Sequence, residues 1–318
     1  MKKFISKTIL FLLFTSLFYL TFLFVWGRYA PSMFKPNINY RIGSYGHMNS
    51  RLSEVKNHGD VDILFLGSSH AYRGFDTRIF LDNGYKSFNL GSSSQTPAQT
   101  KVLLKRYLES LNPELVIYEV YPETLTTIDG VESSLDIIAN DKNDSHSLNM
   151  ALKLNNIKTY NTLFYGLTRD LLGLNKSFSE PIIKGSDKYI SGGYVEKEIG
   201  FYQPTEFEKK EISLREYQLE SFSEIVQMIK NKNIELILVY TPIPSANYIS
   251  YSNNHYFDSI MRRNSKYYNF NEILTLNDSL YFYDSDHLNQ NGVNIFNKKL
   301  IELLNVNKAR THNNVYEK

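Results

Sequence analysis

"DILFLGSSHAYRGFD", residues Asp62 to Asp76, begins with an apolar run, Ile63 to Leu66, that stops at Gly67 and passes at once into Ser68, Ser69 and His70. A short run that is apolar at every position suits a strand buried on both faces, as in a parallel sheet covered by helices. The polar residues then occupy the turn at the strand's carboxyl end, where open α/β sheets place their ligands.

Further runs of this kind recur along the chain: "VDILFL" (61–66), "SFNL" (87–90), "LVIYEV" (115–120), "IELILVY" (234–240) and "LYFY" (280–283). Longer helical patterns lie between them. In "TPAQTKVLLKRYLESL", Thr96 reads as the N-cap, Pro97 as the first helical residue and Gln99 as the capping-box partner. The segment 206–233 is predicted as one long amphipathic helix before the fourth strand. This alternation predicts a three-layer α/β/α sandwich with a central parallel sheet and right-handed crossovers.

Residues 122–205 interrupt the alternation with a helix over 149–173 and a Gly- and Ser-containing stretch, "IIKGSDKYISGGYVEKEIG". An insertion after the third strand lies over the carboxyl end of the sheet, either as a lid or as a structural excursion.

The 318 residues are 42% hydrophobic and contain no cysteine, so a large core without disulfides is expected. The absence of cysteine excludes a thiol nucleophile, a lipidated cysteine and an iron–sulfur cluster. With 35 Lys+Arg against 33 Asp+Glu, no cationic excess marks a nucleic-acid partner. The seven histidines (47, 58, 70, 146, 255, 287, 312) show no metal-ligand spacing, and neither metal nor cofactor is implied.

Behind Met1-Lys2-Lys3 comes "TILFLLFTSLFYLTFLFVW", Thr8 to Trp26, about nineteen uncharged residues, the length a helix needs to cross a bilayer. Trp26 and Tyr29 sit where an interfacial aromatic belt would be. The run exceeds the roughly 7–15 residues of a signal-peptide core and no small-x-small site follows it, so an uncleaved anchor is favoured over a signal peptide. The leading lysines place the N-terminus in the cytoplasm, although Arg28, Lys35 and Arg41 weaken the asymmetry. The expected order is a cytoplasmic tip and anchor (1–28), a stalk (29–59), a globular domain (60–305) carrying the 122–205 insertion, and a polar tail (306–318).

A serine hydroxyl becomes a nucleophile only when a base removes its proton, and a histidine base needs a carboxylate to hold its tautomer. His70 is too close in sequence to play that base. "LYFYDSDHLNQNGVNIFNKKLIELL" (280–304) supplies a better partner, with Asp284 and His287 in D-x-x-H spacing at a strand-to-helix turn. Asp286 is the alternative carboxylate, read as solvated or as a helix-start acid. Ser68 is read as bonding backbone locally. No G-x-S-x-G elbow is present, which disfavours the α/β-hydrolase fold.

These residues resemble the SGNH (GDSL-like) hydrolases. "FLGSSHAYRGFD" is similar to their first block, with Gly67-Ser68-Ser69 in place of Gly-Asp-Ser, and "YDSDHLNQNG" to their closing Asp-x-x-His block. "FNLGSSSQTP" (88–97) resembles the second block. The resemblance implies Ser69 as nucleophile, His287 as base, Asp284 as its orienter, and the N–H groups of Ser69 and Gly91 as the oxyanion hole. The family's third-block asparagine is missing from "YEVYPET" (118–124), so either Tyr121 or an amide elsewhere substitutes, or the hole has two donors. Together with the anchor, the chain resembles the family's membrane-anchored branch, which includes D-alanyl-transfer and alginate O-acetylation proteins. That implies an ester hydrolase or O-acyltransferase held at the inner (plasma) membrane, its domain periplasmic or extracellular. The implied substrate is an acylated cell-envelope glycan, with a membrane protein as possible acyl donor. The other reading is an inactive SGNH-fold glycan-binding or envelope-assembly protein.

Overall fold

The computed structural model describes residues 1–38, 41–174 and 178–316. Small parts of the expected stalk (39–40), insertion (175–177) and tail (317–318) therefore lie outside the described residues. Helix α1 (Lys2–Tyr29) leads to α2 (Met48–Val55), then to β1 (Ile63–Leu66), α3 (Ser69–Gly74), α4 (Thr77–Asp82), β2 (Ser87–Asn89), α5 (Pro97–Leu111) and β3 (Leu115–Glu119). The insertion holds α6 (Val131–Asn140), α7 (Ser145–Leu154), α8 (Ile157–Leu171) and three short strands, β4 (Ile183–Lys184), β5 (Asp187–Ile190) and β6 (Tyr194–Lys197). The domain resumes with α9 (Glu216–Asn231), β7 (Glu235–Tyr240), α10 (Ser245–Ser250), α11 (Asn254–Asn264), β8 (Lys266–Asn269), α12 (Phe270–Ile273), α13 (Asp278–Tyr281) and α14 (Gln290–Tyr316).

Five parallel strands form the central sheet in the order β2-β1-β3-β7-β8. Alternate side chains of each strand enter two cores, which is why the strands read as apolar throughout. Ile63, Phe65, Ile117, Ile237 and Val239 pack with α4 and α14 on one face. Leu64, Leu66, Val116, Tyr118 and Leu238 pack with α5, α9 and α11 on the other. This is the expected three-layer α/β/α sandwich. Its strand order reverses direction at β1, so the carboxyl ends of β1 and β3 flank the topological switch point.

Four expectations need correction. "LYFY" (280–283) is not the fifth strand: Asn277 accepts the Ser279 N–H at 3.0 Å and caps α13, leaving Phe282 only an isolated bridge to Leu288. The sheet's edge is instead "KYYN", β8, paired with β7. The segment 29–59 is not a free stalk, because Met48, Leu52 and Val55 of α2 are fully buried in the α5-side core. The helix expected over 149–173 is two helices: Asn155 takes the left-handed conformation (φ 46) and Asn156 caps α8 by accepting the Lys158 N–H at 2.9 Å. The amphipathic helix before β7 begins at Glu216, while Lys210 upstream of it makes an isolated bridge to Tyr251.

α1 is the one helix among the described residues long and apolar enough to cross a membrane.

Candidate functional site

β1 delivers the chain into the site through Gly67, whose φ of +138° favours glycine and where an added Cβ would stand 2.5 Å from Glu119 Oε2. Ser68 then caps α3, its hydroxyl accepting the His70 N–H at 3.2 Å. That places Ser69 at the first helical position, half-exposed, with an N–H that no carbonyl of its own helix can take. Ser68 does more than bond locally. Its N–H donates to Glu119 Oε2 and its hydroxyl is hydrogen-bonded to the same oxygen, both at 2.8 Å, joining the end of β1 to the end of β3.

From the other end of the chain, the turn before α14 brings His287 to Ser69. His287 Nε2 lies 2.8 Å from Ser69 Oγ across more than two hundred residues of sequence. Its Nδ1 lies 3.1 Å and 3.0 Å from the two oxygens of Asp284. Asp284 also shapes the turn, accepting the N–H groups of Asp286 at 3.0 Å and His287 at 2.7 Å. The structure therefore brings Ser69, His287 and Asp284 together in series, at hydrogen-bond lengths on both sides of the imidazole.

Asp286 is not the solvated bystander expected from its spacing. Its Oδ1 lies 2.9 Å from His287 Nδ1, and its backbone carbonyl accepts from His70 Nε2 at 2.9 Å. Burial works against ionised Asp286, yet the His287 contact holds its carboxyl well below the usual range. Burial likewise opposes protonation of His287, but the close Asp284 and Asp286 carboxylates outweigh it and raise the imidazole to about 9.

Gly91 does not take the place expected of it. Its N–H donates to Asn89 Oδ1 at 2.9 Å, and the residue is buried against the Ser68 carbonyl, away from the cleft. Farther along the same loop, Ser92 N–H donates to Gly67 O at 3.3 Å and Gln95 N–H to Ser92 O at 3.2 Å. Ser93 and Ser94 lie between them and line the cleft, with Ser94 in the left-handed conformation (φ 51). A positive φ on a serine was the signal that sequence alone could not give.

The cleft over Ser69 has a volume of about 560 Å³. Ser93, Ser94, Tyr121 and Glu123 form part of its wall, and Arg73, Tyr283 and the insertion's Lys197 another part. Arg73 and Lys197 both reach Asp187, at 2.8 Å and 3.3 Å. The insertion thus contributes to the wall, as its position after β3 led one to expect. Tyr121, the residue at the missing asparagine's place, also lies in the wall, its ring 4.2 Å from that of His70.

A hydroxyl, an imidazole and a carboxylate so aligned can pass a proton from the hydroxyl to Nε2 while the carboxylate holds the ring. His70, Asp286 and His287 also present ligand atoms close enough together to hold a metal ion. One imidazole of that set is already committed to Ser69, and Asp286 to the His287 ion pair.

No family model matches the chain, and no curated protein matches it. Among solved structures, it is similar to a proposed acylhydrolase from Bacteroides fragilis at 15% identity and a TM-score of 0.41, over 84% of this chain and 97% of that one. It is also similar to a GDSL-like lipase from Bacteroides thetaiotaomicron at 14% identity and a TM-score of 0.41, over 81% of this chain and 98% of that one.

Proposed function

We propose that the chain is a membrane-anchored serine esterase or O-acyltransferase. The observation that carries this reading is the pair of distances about His287: 2.8 Å to Ser69 Oγ and 3.0 Å to Asp284 Oδ2. Ser69 Oγ attacks an ester carbonyl as His287 Nε2 takes its proton, and Asp284 stabilises the imidazolium that forms. The tetrahedral oxyanion is bound by the Ser69 N–H and by the Ser93–Ser94 turn, which replaces Gly91 as the loop's donor. Removing one such donor typically costs about 10²–10³ in turnover. His287 then returns the proton to the leaving alkoxide, and water or an acceptor hydroxyl attacks the acyl-Ser69 ester.

α1 serves as an uncleaved anchor in the inner (plasma) membrane, with the N-terminus cytoplasmic and residues from about 30 onward periplasmic or extracellular. A domain tethered there meets cell-envelope glycans, and a cleft walled by Ser93, Ser94, Arg73 and Lys197 offers polar groups to a hydroxylated substrate. An acylated glycan is the substrate of this reading, and a membrane protein that delivers the acyl group is its partner if the reaction is transfer.

The test is labelling of the full-length protein, in detergent, with a fluorophosphonate probe. Labelling of the native chain and none of Ser69→Ala is expected. No labelling of a well-folded native sample overturns the enzymatic reading in favour of an inactive glycan-binding protein.

A further inference from the structure

Helix α8 is apolar on its outward side as well as its inward one. Its inward face carries Leu163 in the core and Tyr165, but also Thr159, Asn161, Thr162 and Arg169, all buried, with Arg169 Nη1 donating to the Ala139 carbonyl at 2.7 Å. Its outward face carries Ile157, Phe164, Leu167 and Leu171, spaced at seven, three and four residues and therefore on one stripe. Their exposures are 58%, 44%, 42% and 86%. Such helices normally turn the apolar stripe to the core and the polar one to water.

The helix beside this stripe is α1. Tyr19 Oη donates to Asn161 Oδ1 at 2.6 Å, and the Phe24 ring stacks on Tyr165 at 5.7 Å. Gly27 lets the two helices approach, since a Cβ there would stand 2.6 Å from the Tyr165 ring. Phe164 is one position before Tyr165, so the apolar stripe lies about 100° around α8 from the α1 contact, continuous with it. Tyr19 lies seven residues before Trp26, so its contact with Asn161 sits about 10 Å inside the apolar run at 1.5 Å per residue. Helices that lie in a membrane interface bury an apolar face to about 5–10 Å.

We propose that α8 is a second membrane element, seated beside α1 in the leaflet that holds the Trp26 end of that helix, its outward stripe covered by lipid acyl chains. The proposal rests on the reading of α1 as an uncleaved span. It replaces the idea of a domain on a stalk with one seated on the bilayer. It also connects the membrane to the site: α8 packs on α6, whose Glu132 accepts the Ser93 hydroxyl at 2.7 Å in the cleft wall.

The cysteine-free chain allows a direct test. Single variants Phe164→Cys, Leu167→Cys and Leu171→Cys of the full-length protein are labelled with a nitrobenzoxadiazole fluorophore. They are reconstituted in phosphatidylcholine–phosphatidylglycerol vesicles with and without doxyl-labelled lipid. Leu13→Cys reports α1, and Leu81→Cys, an exposed leucine on α4, reports an apolar site in water. Loss of fluorescence at positions 13, 164 and 167, weaker at 171, which lies six residues beyond Tyr165 toward the Trp26 end, with none at 81, is expected for acyl-chain contact. Quenching at 13 alone overturns the seat and leaves the anchor. No quenching at 13 overturns the anchor and the seat with it. Burial of the α8 probes that grows with protein-to-lipid ratio but is insensitive to doxyl lipid assigns the stripe to a second copy of the chain and overturns the proposal.

Discussion

Two imidazoles stack in the site with centroids 4.6 Å apart, and their surroundings drive them in opposite directions. Burial, then the neighbouring His287 charge, push His70 down to about 4. His287 is partly open to the cleft and faces Asp284 and Asp286, and rises to about 9. His70 presents Nε2 to a backbone carbonyl and Nδ1 to Ser68, 3.2 Å away, so both its hydrogen-bond partners are neutral and the nearest carboxylate, Asp286, stands farther off at 4.0 Å. His287 presents one nitrogen to carboxylates and the other to Ser69. Under the proposed mechanism, closeness in sequence does not select the base. The histidine next to the serine pair became a neutral prop, and the distant one received the charge that lets it hold a proton.

The harshest way to break this comparison is to remove each ring. His287→Ala is expected to slow fluorophosphonate labelling of Ser69 by about 10⁴-fold or more, the scale of losing a triad base, measured as a second-order rate constant. His70→Ala should retain most of it; the reverse pattern would exchange the two roles. Next in size is Asp284→Asn. It keeps the turn's shape but offers the ring an amide, and a loss of roughly 10²–10⁴ is expected. If Asp286→Asn loses more than Asp284→Asn, the orienting carboxylate is Asp286.

What the sequence made legible was local. Four of the five strands stood out because both faces of each are covered, and the D-x-x-H turn stood out because Asp284 and His287 are three residues apart. What it hid depended on partners elsewhere. Gly91 looked like an open donor until the Asn89 side chain proved to hold its N–H. β8, "KYYN", is an edge strand with a lysine at its start and little apolar signal, while the more apolar "LYFY" is bent into a helix by the Asn277 cap. The burial of α2 was there to be read, since Met48, Leu52 and Val55 recur at helical spacing, but Gly43, Gly46 and two prolines made the segment look like a tether. Asp286 was set aside as too near His287 in sequence to orient the ring as well, and the tight turn whose N–H groups Asp284 accepts brings it back to the ring.

Asp286→Asn sharpens the charge side of the comparison. His287 must be neutral to accept the Ser69 proton, so labelling should rise with pH through about 9. The Asp286 carboxylate favours the imidazolium. Its removal lowers the pKa of His287 and moves the rising limb of the labelling profile to lower pH, with a smaller change in the plateau. An unmoved limb would assign the whole shift to Asp284.

The mildest test addresses the neutral side, through Glu119 at the far end of the His70–Ser68 chain. Burial raises this carboxyl from 4.5 to about 7, against the bonds it accepts from Ser68. A protonated Glu119 can donate to Ser68 Oγ, which leaves the Ser68 hydroxyl proton for His70 Nδ1 and the Nε2 proton for the Asp286 carbonyl. Each group then donates once and His70 stays neutral. Between pH 4.5 and 7 the folded state binds more protons here than the unfolded one, so this group's contribution to stability is full below 4.5 and is lost as pH rises through 7. Glu119→Gln keeps a carbonyl for the Ser68 N–H and cannot ionise, so its melting temperature should fall less than that of the native chain across that interval. Parallel melting curves for the two proteins would mean that Glu119 stays ionised and that Ser68 gives its proton to the carboxylate instead of to His70.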